Sequence, residues 1–231
     1  MIRTIAAVVP AADEQALLDG CLAALRRSRA ELARRHPGVR ARVVVVLDSC
    51  TDDSARIAAS AGVETVVISA RRVGAARRAG ADHVLRTATR AQTMWLANTD
   101  ADSQVPADWL AGMVELADQG ADLVLGTVRP DDGLSNSTLT AWYDGHVLAD
   151  GHPHIHGANL GVRGSVYEAV GGWSALASGE DEQLAARAAA IPELSIARTA
   201  RFPVTTSTRL HARAPYGFSS YLRRLPGEQC S

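Results

Sequence analysis

The chain has 231 residues, 47% of them hydrophobic, enough for one ordinary domain, or one domain with an appendage, around a real core. Its formal net charge of -1 gives no strong field toward nucleic acid or an anionic membrane. All 24 basic residues are arginine, which excludes a phosphate-loop lysine, a Schiff-base lysine and a lysine general base.

Cys21, Cys50 and Cys230 are odd in number and irregularly spaced, so neither a disulfide framework nor a zinc cluster is implied. The apolar run over 5–9 is too short for a signal peptide and is followed by Asp13 and Glu14. No stretch is long enough to span a bilayer, and a cytoplasmic protein is the expectation.

Residues 5–9 read as a short buried strand broken by Pro10. Residues 13–35 read as a long helix whose apolar stripe is Ala16, Leu17, Cys21, Leu22, Leu25 and Leu32. His36-Pro-Gly stops it. The apolar run over 43–47 suits a strand covered on both faces, ending at Asp48. Thr51 with Asp52, Asp53 and Ser54 then opens a helix to about 59. A strand over 63–68, a helix over 73–90, a strand over 93–97, a helix over 106–118 and a strand over 121–128 continue the alternation.

Such alternation predicts an α/β fold: an open, mainly parallel, Rossmann-like sheet flanked by helices, with ligands beyond the carboxyl ends of the strands. Pro10, Asp48, Asp100 and Asp102 all fall at those ends. Asp100 and Asp102, at i and i+2 in extended backbone, would project the same way and suit a hard divalent cation beside a phosphate-bearing substrate. The competing reading is a polar turn with helix-capping aspartates. No Gly-x-Gly-x-x-Gly follows the first strand and no phosphate-loop pattern occurs, which disfavours dinucleotide and classical ATP or GTP folds.

After Arg129 the pattern becomes irregular. A helix is expected over 135–149, short helical stretches over 166–170 and 183–190, and a strand pair over 195–205. His152, His154 and His156 have the spacing for one face of a strand and could bind a metal, although His-Pro-His in a loop is a weak signal. Gly157, Gly161 and Gly164 indicate close backbone packing. Glu180, Asp181 and Glu182 precede a helix, where they could merely compensate its dipole.

In this order the segments VVPAADE, VVVVLDSCTDDS, VGAARRAG, ANTDADSQVP, HGANLGVRGSVYEAVGGW and GEDEQL resemble the inverting family 2 glycosyltransferases of the GT-A fold, over roughly 5–190. The resemblance implies a single GT-A domain over 1–231. Its nucleotide-binding half would be 1–128, and its acceptor-binding half with the C-terminal tail 129–231. It implies that Pro10, Asp13 or Glu14, and Asp48 border the nucleotide base and ribose, with Arg77 and Arg209 near phosphate. A solvated helix arginine is the alternative for Arg77. Asp102 would ligate Mn²⁺ or Mg²⁺, Asp100 would meet the ribose or a metal-bound water, and His211 would complete the metal shell unless it is merely solvated.

By the same resemblance His156, Gly157, Asn159 and Trp173 line the donor sugar and acceptor; for Trp173 a partly buried anchor is the alternative. Asp181 matches the general base, with Glu180 and Glu182 close enough to exchange roles with it. The implied reaction is metal-dependent transfer from a UDP- or GDP-linked sugar to the hydroxyl of a small or carrier-linked acceptor. No nucleic acid is expected and a homodimer is left open. Location would be cytoplasmic, at most peripheral at the inner membrane face through residues 221–225. Rival readings are a non-catalytic nucleotide-sugar binder and a sugar-phosphate nucleotidyltransferase. The latter normally shows a Gly-rich, Arg/Lys-bearing loop after the first strand, which Pro10-Ala-Ala-Asp does not resemble.

Overall fold

The computed structural model describes residues 1–209, so His211 and the segment 221–225 lie outside the described residues. In chain order the first half runs β1 (Thr4–Ala11), α1 (Leu18–Arg35), β2 (Arg40–Asp48), α2 (Ser54–Ser60), β3 (Glu64–Ile68), α3 (Val73–Leu85) and β4 (Met94–Asn98). There follow β5 (Ser103–Gln104), α4 (Trp109–Asp118), β6 (Leu123–Pro130), α5 (Asn136–Asp144), β7 (Leu160–Arg163), α6 (Gly164–Ala169), α7 (Glu180–Ala189) and β8 (Ile196–Thr206).

Among the described residues the strands form an eight-stranded sheet in the order β3-β2-β1-β4-β7-β6-β8-β5. β5 and β7 run against the other six. The chain winds outward from β1 to β3 and returns to β4 on the other side of β1. The crevice between β1 and β4 is therefore the switch point at which ligands of open α/β sheets bind.

Alternation along the strands builds two cores. Ile5, Ala7 and Val9 of β1 and Val43 and Val45 of β2 pack under α1, α2 and α4. Ala6, Val8, Val44 and Val46 pack under α3, α6 and α7. β2 is apolar on both faces because both faces are covered, and each fully buried aliphatic side chain contributes about 1.5–3 kcal/mol. Gly80 lets α3 approach closely: a Cβ there would lie 2.5 Å from Val8 Cγ1.

Several boundaries depart from the sequence reading. α1 begins at Leu18 rather than 13, because Asp13 adopts a φ of 50° and turns the chain before the helix. α3 stops at Leu85 instead of reaching 90. α5, capped by the Ser135 hydroxyl accepting the Thr138 N–H, ends at Asp144 rather than 149. The region 195–205 is one strand, pairing with β6 instead of with itself. β7 was not anticipated: four residues containing a glycine carry no periodic signal, yet they pair with both β4 and β6.

His152, His154 and His156 lie in a loop, where their rings join a stacked column. Trp142 and His146 are 4.0 Å apart, His146 and His154 4.9 Å, and His154 stands 5.8 Å from both His152 and His156. His154 Nε2 accepts the Val147 N–H, and His152 Nε2 faces the carbonyls of Leu125 and Thr199. Among the described residues these histidines form no group of three whose ligand atoms all lie within 4.8 Å of one another.

Asn159 bolts the interior together. It is wholly buried, donating to the Thr127 and Phe202 carbonyls at 2.8 and 3.1 Å and accepting the Trp109 indole N–H at 2.8 Å. Gly126 makes room for it, since a Cβ there would sit 2.3 Å from the amide nitrogen. Asn159→Ala would strand three polar groups in the core, and a loss of about 2–4 kcal/mol is expected, read as a lower thermal midpoint.

Burial, reinforced for His154 and His156 by neighbouring imidazoles, holds the four column histidines below their ordinary value of 6.5, His156 down to about 3. The unfolded chain then accepts protons that the folded chain refuses. The stability this contributes is full above about pH 6.5 and is lost as pH falls through the folded values. The urea midpoint is expected to fall from about pH 7 to about pH 5, with His156→Phe flattening the fall; a midpoint insensitive to pH would contradict the assignment.

Candidate active site

The loops leaving β1, β2 and β4 meet at one end of the sheet, and carboxylates lace them together. Asp48, 4% exposed, accepts the N–H groups of Ala70 and Arg71 on Oδ1, both at 2.8 Å, and that of Arg72 on Oδ2 at 3.0 Å. The Ser49 hydroxyl adds a fourth donor at 3.2 Å. Three donors crowd Oδ1 and one meets Oδ2, which keeps an acceptor position. Asp48, expected to border the base or ribose, also shapes the segment that leads into α3.

Asp13 is committed in the same way. Its Oδ1 accepts the Thr51 N–H at 2.6 Å and the Asp52 N–H at 3.3 Å, tying the β1 loop to the β2 loop. The Glu14 N–H donates to Ser54 Oγ at 2.8 Å, while the Glu14 carboxylate takes both terminal nitrogens of Arg209 at 2.6 Å. Pro10, half-buried beside Val46, belongs to the floor of this corner.

Asp100 and Asp102 do not project together from extended backbone. They occupy a turn closed by the Ser103 N–H on the Asp100 carbonyl at 3.1 Å, and a turn sends their side chains to different partners. Asp100 Oδ1 accepts Arg77 Nη2 at 2.6 Å. Asp102 Oδ2 lies 2.9 Å from Arg209 Nη2. Cys21, on the apolar stripe of α1, supports the turn from below by donating its thiol to the Asp100 carbonyl at 3.3 Å.

Arg77 is not the solvated helix arginine of the alternative reading, and its Nη1 is buried without a hydrogen-bond partner among the described residues. The residue is 2% exposed and reaches across to Glu180 Oε1 with Nε at 3.1 Å. Its guanidinium carbon sits 5.5 Å above the Trp173 ring, and Trp173 itself is wholly buried. Trp173 is thus a core anchor, as its alternative reading had it, and Asn159 is the internal bolt described above. Neither lines a sugar pocket, because packing against neighbouring elements consumes both.

On the opposite wall, Asp181 Oδ2 accepts the Gly157 N–H at 2.7 Å and Oδ1 accepts the Glu182 N–H at 2.9 Å. Gly157 has to be glycine here: a Cβ would lie 2.6 Å from Arg77 Nη2. His156, half-buried, precedes it. Glu180 is 4% exposed, whereas Glu182 lies on the exposed side of α7. Burial and the charges of Asp181 and Asp100 raise the Glu180 carboxyl, and Arg77 opposes them.

Negative charge is in excess here: Glu14, Asp100, Asp102 and Glu180 share the guanidinium groups of Arg77 and Arg209, and Asp181 adds a further carboxylate bonded to the Gly157 N–H. Burial, Asp100 and Glu14 push Asp102 up to about 6, with Arg209 countering. A half-buried carboxylate whose counterion is an arginine offers oxygen donors of the kind a hard divalent ion takes. Among the described residues one further group could hold such an ion. Asp13, Cys50 and Asp52 bring ligand atoms within 4.8 Å of one another, but each already bonds to the surrounding backbone.

The long-range pairings were hidden from the sequence. Nothing local marks Arg209 as the partner of Glu14, or Glu180 as that of Arg77; only the position of Glu180 at a helix start singled it out.

Residues 6–162, more than half of the chain, match the glycosyl transferase family 2 profile. Uncharacterised glycosyltransferases of Mycobacterium bovis and Mycobacterium tuberculosis are each 39% identical over 93 residues, 40% of this chain and 39% of theirs. The match thus spans about two-fifths of those relatives. S. aureus TarS in complex with UDP superposes with a TM-score of 0.62 at 14% identity, covering 88% of this chain and 60% of that one. Mannosyltransferase PcManGT from Pyrobaculum calidifontis, in complex with GDP-Man and Mn²⁺, gives 0.60 at 22% identity, covering 96% and 59%. M. tuberculosis glucosyl-3-phosphoglycerate synthase gives 0.57 at 18%, covering 96% and 77%. At such identities these likenesses speak to the fold, which is GT-A: a mixed sheet flanked by helices and followed by a less regular C-terminal part. Profile and topology agree, and the chain belongs to glycosyl transferase family 2.

Proposed function

We propose that the chain transfers a sugar, with inversion, from a UDP- or GDP-linked donor to the hydroxyl of a small or carrier-linked acceptor, using Mn²⁺ or Mg²⁺. The observation that carries this reading is the meeting of two carboxylate groups across one buried guanidinium. Asp100 and Asp102 lie at the end of β4, and Glu180 and Asp181 at the start of α7. Transfer needs both sides: charge control where the diphosphate departs, and a base where the acceptor hydroxyl arrives. UDP in one solved relative and GDP-Man with Mn²⁺ in another support the donor class.

Asp102 would hold the ion, with His211 a candidate ligand beyond the described residues. The bound ion would supply positive charge to the departing diphosphate. Arg209, kept in place by Glu14, would turn its remaining donors to phosphate oxygens. Asp13 and Asp48 hold the nucleotide corner in shape through the backbone. Asp181 would take the acceptor proton. Glu180 is sealed against Arg77 and Glu182 faces outward, so burial and direction favour Asp181 among the three. His156 and Gly157 would border the acceptor.

Calorimetry of UDP and GDP with and without Mn²⁺ is expected to show metal-dependent binding of one nucleotide, weakened at least ~10-fold by Asp102→Ala. Asp181→Asn should keep that binding and lose on the order of 10²–10⁴ in transfer rate. Folded protein that binds neither nucleotide would defeat the proposal. Binding without turnover on any hydroxyl acceptor would leave a nucleotide-sugar binder instead.

A further inference from the structure

Arg77 sits on α3, and its guanidinium serves both walls at once. Nη2 holds Asp100 at 2.6 Å and Nε holds Glu180 at 3.1 Å. Trp173 lies beneath it and Gly157 leaves space beside it. Asp100 is the more open partner, with a side chain 35% exposed, while Arg77 and Glu180 are 2% and 5% exposed. Burying such a pair is costly, and an apolar pair would fill the same volume at similar or better stability. The geometry therefore invites a role other than holding the fold together.

We infer that Arg77 is a positioning residue that couples the donor side to the base, sharing one guanidinium between Asp100 and the first residue of the helix that carries Asp181. A ligand that draws on the charge of Asp100 changes how strongly Arg77 holds Glu180. Glu180 is the first residue of α7, so its first turn responds. That turn includes Asp181, whose other contact is the Gly157 N–H at 2.7 Å. The coupling is reciprocal, as any equilibrium linkage must be. This inference rests on the proposed donor site.

Hydrogen exchange of the full chain tests it with UDP alone, Mn²⁺ alone and both together. In the wild type, both together should slow exchange at residues 98–104 and also at the start of α7, residues 179–184. Arg77→Lys keeps the charge, but an ammonium point charge lacks the fork that spans two carboxylates. Arg77→Met combined with Glu180→Gln removes both buried charges and leaves neither unpaired, guarding against a variant that fails to fold. In both, the response at 98–104 should persist and that at 179–184 should disappear. In turnover, both variants should lower kcat by more than they raise the KM for the donor, because the base loses its placement while the donor side keeps its own groups. A response at 179–184 that survives in the variants, or is missing in a wild type protected at 98–104, overturns the inference alone. A wild type that responds at neither place overturns the donor reading, and this inference with it.

Discussion

Parallel strands that end together bring their loops together, and in this chain those loops carry more carboxylates than cations. The site is organised by how that excess is compensated. Backbone amides take up Asp48 and Asp13, Arg209 spans Glu14 and Asp102, and Arg77 spans Asp100 and Glu180. A carboxylate bonded to several N–H groups is stable without a counterion, so the first two work as rigid framework. Those that depend on arginines remain open to exchange their partner for a ligand or an ion.

This division explains why acidic residues close in sequence do different work. Asp13 and Glu14 are neighbours, yet the left-handed turn at Asp13 directs one side chain to the β2 loop and the other to Arg209. Glu180 and Asp181 are likewise adjacent, and the first turn of α7 sends one into the protein beneath Arg77 and the other to the Gly157 amide. The Asp100–Ser103 turn separates Asp100 from Asp102 in the same manner.

The wall that carries Asp181 is supported from behind by Asn159 and the imidazole column. Asn159 ties α4, β6 and β8 together immediately after the Gly157 segment, and the imidazole column packs before it. Asn159 and His152 are buried, and His146, His154 and His156 are half-buried. Each is tolerable because its bonds are met by specific backbone partners or because it stays neutral. The loop from 152 to 159 is thus held at both ends, which gives the Gly157 amide a defined position for Asp181.

Much of this was legible in one dimension. The apolar run of β2, the polar ends of β1, β2 and β4, and the order of the motifs together determined a mainly parallel sheet with ligands expected beyond the carboxyl ends of its strands. Periodicity and strand ends are local properties, and hydrophobic burial enforces them wherever the chain packs. The sequence also identified Asp100, Asp102, Arg77 and the 180–182 group as the residues to watch. Only the tertiary structure decided which carboxylate faces which cation. It buried Trp173 and Asn159, turned Asp48 toward backbone, inserted β7 between β4 and β6, and stacked the histidines. Those outcomes depend on contacts between residues far apart in the chain, such as Glu14 with Arg209, and on the direction in which a turn releases a side chain. Neither quantity is encoded in local spacing.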